Sequence, residues 1–144
     1  MATTIKFLNH TKNRFNDPGV NVANLKVMLR NGTTFNAANT RVSDLDGTEV
    51  HGNNWTEGGE PIANAAFSVT ETDGSELTGD NISKTATGGS IGPTDSGYII
   101  ETDGVNSPFV LFELKPTEAQ TAGEGTPFIV EWTGGQIVKW TESA

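Results

Sequence analysis

The stretch "SDLDGTE", residues 43–49, sets Asp44, Asp46 and Glu49 around Gly47, an alternation of carboxylates that resembles a calcium loop. A helix-loop-helix calcium site needs a longer ligand series that closes on a bidentate glutamate. This stretch has neither, so a solvated turn competes with the metal reading. The two histidines, His10 and His51, lie in polar segments with no third ligand type spaced for zinc. Eighteen acidic residues leave room for a glycosidase-type carboxylate pair, but no two stand out in spacing. "TATGGSIGP", residues 85–93, is glycine-rich without the spacing of a phosphate-binding loop and reads as a bend between strands. The serines lack a nucleophile-elbow setting. These residues predict a protein without catalytic, cofactor-binding or metal residues.

A second stretch carries no visible chemistry and yet holds a tryptophan. "NNWTEGGEPIANAAFSV", residues 53–69, runs from turn-formers into the strand-like alternation of Phe67 and Val69. Gly58 and Gly59 supply backbone freedom for a sharp turn with positive φ, which folds Trp55 back toward the body. Trp55 is then either a core aromatic in a long connection or an aromatic presented to a partner, since such side chains anchor interfaces.

The elements that must position these residues are strands. The 144 residues suit one domain. Threonine, valine, isoleucine and aromatics favour strands, and the 17 glycines together with Asn and Asp favour turns. Residues 22–32 read as the first strand of the body, with Asn31-Gly32 as a tight turn. Residues 37–45 read as a short helix or a loop. Residues 98–102 and 109–113 read as a hairpin turned at Asp103-Gly104, and 115–127 as a loop. Phe128, Val130 and Trp132 share one face of a strand. Thr133-Gly134-Gly135 then predicts a reversal that pairs this strand with the one bearing Val138 and Trp140. The expected fold is an all-β, single β-sandwich domain of about eight short antiparallel strands.

Charge divides the chain. Residues 1–41 hold six basic residues against Asp17, a balance of +5; residues 42–144 hold three basic residues against seventeen acids, a balance of −14, which together give the net −9. Residues 1–21 read as an N-terminal arm and 22–144 as the β-sandwich domain. The arm's Lys6, Phe7, Lys12, Arg14 and Phe15 are the candidate partner-binding residues, with Trp55 as a possible interface aromatic. The arm is expected to order on assembly, and its removal to leave the body folded. An acidic body repels phosphate, which argues against nucleic acid as a partner. The absence of cysteine excludes disulfides and thiol chemistry. No apolar run approaches the roughly 20 residues of a membrane helix, and the first 21 residues lack the apolar core of a secretory signal.

The order of motifs from residue 24 to residue 140 resembles a group of small tailed-phage virion structural proteins, of the capsid-decoration, cement, neck or head-fibre type. The likeness rests on "NLKVML", "LDGTEVHGNNWTEGGEPIAN", "TATGGSIGP", the "YIIETDG" hairpin and "AGEGTPFIVEW". In that group an aromatic at the position of Trp55 precedes a Gly-Gly-x-x-hydrophobic run, here Gly58, Gly59 and Ile62. Residues 1–21 lie outside the pattern. The resemblance implies a non-enzymatic virion component, assembled in the host bacterial cytoplasm. Its partners would be a major capsid protein or a neck or tail protein, and further copies of itself. The alternative from the residues is a carbohydrate-binding or carbohydrate-cleaving β-sandwich, in which Trp55, Trp132 or Trp140 would lie exposed and stack on sugar rings.

Overall fold

The computed structural model describes residues 3–11, 20–71, 74–104, 106–132 and 136–141. The domain is all-β, built of several antiparallel sheets, as its composition requires. Among the described residues there are thirteen strands rather than about eight. No helix among them is long and apolar enough to cross a membrane.

The largest sheet has six strands. β1 (Thr3–Phe7), β10 (Phe109–Pro116), β9 (Ser96–Glu101) and β2 (Leu25–Asn31) lie side by side, and β3 (Thr48–Val50) and β4 (Glu60–Pro61) share the outer edge of β2. All six residues of β9 are buried. A strand covered on both faces reads as a continuous apolar run instead of an alternation, which is why Tyr98, Ile99 and Ile100 stand together in the sequence. One face of the sheet lies on the main core, with Leu25, Val27, Leu29, Ile99, Phe112 and Leu114. The other carries a second cluster of Leu8, Met28, Tyr98, Ile100 and Val110, covered by Phe35, Val42 and Leu45. The segment that provides this cover, read as helix or loop, is irregular apart from one short helical turn at Val42–Asp44.

The surplus of strands over the expected number comes from bends. β9 and β10 form the hairpin read from the sequence, and the same two chain segments continue as the pair β8 (Ile91–Thr94) and β11 (Gln120–Ala122). So residues 120–122, expected in a loop, are in fact paired. The second ribbon behaves alike. β6 (Gly74–Thr78) pairs with β13 (Gln136–Thr141), and β7 (Ile82–Thr85), next along the chain, pairs with β12 (Pro127–Val130). β5 (Ala66–Glu71) adds to β6. Leu77, Ile82, Ile91, Phe128, Trp132 and Ile137 of these ribbons pack into the main core against the large sheet.

Two expectations are corrected here. The pairing of the strand at 128–132 with the strand at 136–140 does not form: β12 lies on β7 and β13 on β6. The Thr133-Gly134-Gly135 reversal falls outside the described residues. The physical reason is the bend at 79–81. There the indole Nε1 of Trp132 donates to the Asp80 carbonyl at 2.9 Å and its backbone N–H to Asn81 Oδ1 at 2.8 Å. Trp132 thus closes the break in the ribbon from the opposite strand, and it is buried in the core, as its shared face with Phe128 predicted.

The second correction concerns the boundary at residue 22. Residues 3–7 are a strand of the large sheet, Ile5 packs on the main core, and Leu8 is buried in the second cluster. Thr11 is buried and its hydroxyl donates to the Leu111 carbonyl at 2.6 Å. The alternation Ile5-Lys6-Phe7 was the signal: Ile5 and Phe7 point to one face and Lys6 to the other. At the other end of the arm reading Val20 packs on the main core and the Asn21 N–H donates to Glu101 Oε2 at 2.7 Å, while residues 1, 2 and 12–19 lie outside the described residues.

Candidate interaction surface

Trp55 is only 2% exposed. It packs edge-on against Phe128 with ring centroids 5.5 Å apart. Trp55 is therefore a core residue of this chain and not an aromatic presented at its surface. The backbone that places it is held from two sides. Glu49 Oε2 accepts from the Gly58 N–H at 2.6 Å, and Glu60 Oε1 accepts from the Thr56 N–H at 2.8 Å. Gly58 and Gly59 have φ of +87° and +104°, and a Cβ on Gly59 would stand 2.8 Å from the Val27 carbonyl oxygen. The turn before the tryptophan is made by Asn53 and Asn54, both at positive φ, between the mutually bonded Gly52 and Trp55. This is the conformation of a two-residue hairpin turn. The two asparagine amides donate to the Ser90 and Thr85 carbonyls. The "TATGGSIGP" segment bends around this turn, and a Cβ on Gly89 would meet Asn53 Nδ2 at 2.8 Å.

The three carboxylates of the suspected calcium loop diverge. Asp44 Oδ2 accepts from the backbone of Thr40 and Arg41, Asp46 Oδ1 from Thr34 N–H, and Glu49 from Gly58 N–H. Asp44 and Asp46 fasten two points of the connection between β2 and β3, and Glu49 fastens the turn at Gly58. The backbone donors around Asp44 hold its carboxyl below the ordinary aspartate value. Among the described residues no group of three or more His, Cys, Asp or Glu converges on a point that could hold a metal ion. His10 Nε2 is 2.7 Å from the Val110 carbonyl, and its ring tilts against Phe109, whose face also carries the Arg41 guanidinium at 4.0 Å.

Of the arm residues singled out in the sequence, Lys6 and Phe7 are described, and Lys12, Arg14 and Phe15 lie outside the described residues. Lys6 is exposed, stands opposite Glu113 in the β1–β10 register, and holds its ammonium 5.1 Å over the Phe35 ring. Phe7 meets Phe112 edge-on, with centroids 5.0 Å apart, and stays 41% exposed.

The feature that sequence reasoning missed is where exposed apolar area lies. Among the described residues the exposed large hydrophobic side chains are Phe7, Phe67 and Ile129, at 41%, 43% and 53%. Phe7 is on β1, at the end of the six-stranded sheet; Phe67 is on β5, at the end of a three-stranded sheet; Ile129 is on β12, in a two-stranded pair. All three thus lie on strands with one described neighbour. No local pattern could reveal this, because edge position is set by pairing between residues distant in sequence. No protein-family model, curated protein or solved structure matches this chain.

Proposed function

We propose that this chain is a non-enzymatic structural protein of a phage particle that works by binding its neighbours: a capsid, neck or tail protein, and copies of itself. The observation that carries the reading is the set of exposed apolar residues on edge strands, Phe7, Phe67 and Ile129. Soluble proteins guard sheet edges with charge, proline or cover. An edge that keeps a phenylalanine or isoleucine in water gains by pairing with another surface. The motif order that resembles small virion proteins supports the particle as the setting, and the acidic body argues against nucleic acid as the partner.

The carbohydrate reading needed tryptophans at the surface. Of the three it named, Trp55 and Trp132 are 2% and 6% exposed, so neither of these two offers a ring face for stacking. The experiment that tests the proposal is co-sedimentation of the purified chain with tail-less capsids and with isolated tails. Binding to one of them, reduced by Phe67→Ser or Ile129→Ser, is the expected result. Binding to neither would overturn it, and retention on a glycan array would then favour the carbohydrate reading.

A further inference from the structure

β1 is the outer strand of the six-stranded sheet and, among the described residues, pairs with β10 alone. Its register is continuous from Thr3 to Phe7, whereas the pairs β9–β10, β8–β11, β6–β13 and β5–β6 each contain a shift. A strand with no bulge and no proline keeps its outward backbone groups in line, which is the geometry that accepts another strand.

We infer that two copies of this chain join through β1, antiparallel about a two-fold axis at Ile5, fusing their large sheets into one. The inference rests on the reading that edge strands are contact surfaces, and it names the partner as a second copy. The sequence of β1, TTIKF, is self-complementary in one register. Centred on Ile5, all of Thr3–Phe7 is paired, and Lys6 stands opposite Thr4 of the second copy. Centred on Lys6, two ammonium groups would oppose each other, which destabilises a strand pair. Centred on Thr4, the overlap shrinks to residues 3–5. Within one chain Ile5 already stands opposite Leu114. The Ile5-centred register therefore extends a single apolar row across the seam: Leu114, Ile5, then Ile5 and Leu114 of the second copy. Phe7 becomes the diagonal neighbour of the second copy's Ile5, within reach of an aromatic side chain. The contact is isologous, so it closes at two copies and uses up the β1 edge of both.

The chain has no cysteine, so single thiols can be placed one at a time. Residues directly opposite across antiparallel strands have Cα atoms about 4.5–5.5 Å apart, inside the range a disulfide spans. Under mild oxidation Ile5→Cys is expected to give a disulfide-linked species of twice 15.3 kDa. Lys6→Cys should crosslink with Thr4→Cys and not with itself. Sedimentation velocity of the unmodified chain should show a dimer that salt strengthens, because both copies carry −9. If Ile5→Cys loses the fold by circular dichroism, a mixture of Thr3→Cys and Phe7→Cys reports the same register. A monomer at all concentrations with no crosslink at β1 overturns the inference. Crosslinking confined to Phe67→Cys or Ile129→Cys, or equal at all positions as by collision, also overturns it. A monomer that still sediments with capsids or tails overturns only the self-pairing, and one that binds neither sinks the proposed function as well.

Discussion

The Tyr98 hydroxyl donates to Glu113 Oε2 at 2.8 Å across β9 and β10, on the face of the large sheet covered by Phe35, Val42 and Leu45. Tyr98 is fully buried and Glu113 is 1% exposed. A buried carboxyl without a donor is costly, so the two residues hold each other in place.

Burial first, and then the Glu113 carboxyl, push the Tyr98 phenol well above its ordinary value of 10.0. Below pH 10 the phenol keeps its proton in both folded and unfolded chains, and the contribution to stability is complete. Above it the unfolded chain ionises while the folded one does not, so stability falls as pH rises. Tyr98 is the only tyrosine. The tyrosinate absorbance band should therefore stay silent as pH passes the ordinary value and appear only with loss of the fold. A smooth titration of the folded protein near pH 10 would contradict the buried pair. Tyr98→Phe should cost about 1–3 kcal/mol, the range for stranding a buried polar partner.

Trp55 and Trp132 should respond differently to phenylalanine. Trp132 donates its indole N–H to the Asp80 carbonyl, whereas the Trp55 Nε1 is buried with no hydrogen-bond partner. Trp132→Phe loses a bond as well as volume; Trp55→Phe loses volume and removes an unsatisfied donor. Denaturant midpoints should place Trp132→Phe below Trp55→Phe by about 1 kcal/mol. The reverse order would mean that a water accepts from Trp55. Replacing either by alanine should cost about 3–5 kcal/mol, typical of a buried tryptophan, out of roughly 5–15 kcal/mol in all.

Chelation should leave the melting temperature unchanged, because Asp44, Asp46 and Glu49 bond separate backbone N–H groups, at Thr40 and Arg41, at Thr34 and at Gly58, and do not converge. A drop of several degrees, restored by calcium, would contradict that assignment. The backbone N–H groups of Thr40 and Arg41 hold the Asp44 carboxyl below its ordinary value of 3.8. Its contribution is present above that pH and is lost as pH falls through the lower folded value. Asp44→Asn should therefore flatten the acid limb of a stability profile, and an unchanged limb would remove Asp44 from its causes.

Much of this architecture was legible because local patterns agree with it. Residues 98–102 and 109–113 marked a hairpin, and the spacing of Phe128 and Trp132 marked a core face. Gly58 and Gly59 do take positive φ, as expected. The terminal pairing was not legible: β12 and β13 each have a close sequence neighbour that would make an ordinary hairpin, and only the bond from Trp132 to Asp80 across the bend shows why they pair elsewhere. Trp55 was ambiguous for a related reason. What buries it is Phe128, more than seventy positions away, together with the braces from Glu49 and Glu60. That the strands of Phe7, Phe67 and Ile129 lie at sheet edges could not be told from the sequence, since alternation is the same on an edge strand and a central one.

The N-terminal strand gives the sharpest contrast with the sequence-based expectation. Removing residues 1–11 takes β1 from the sheet, uncovers the edge of β10, and leaves Phe112 without its edge-on partner Phe7. It also removes the buried Leu8 and the Thr11 bond to Leu111. Burying one leucine or phenylalanine contributes about 1.5–3 kcal/mol, and Leu8 alone lies at the full end of that range. With the partial burial of Ile5 and Phe7, the deletion should cost roughly 3 kcal/mol or more. At about 2–4 °C per kcal/mol for a domain near this size, the melting temperature should fall by roughly 10 °C. The bared β10 should also make the truncated chain aggregate on heating, since it presents a long apolar edge. Phe7→Ser is the milder test: it keeps β1 and lowers the melting temperature by less. If the truncated chain melts with the full-length protein, residues 3–11 add nothing to the fold, and the arm reading is restored.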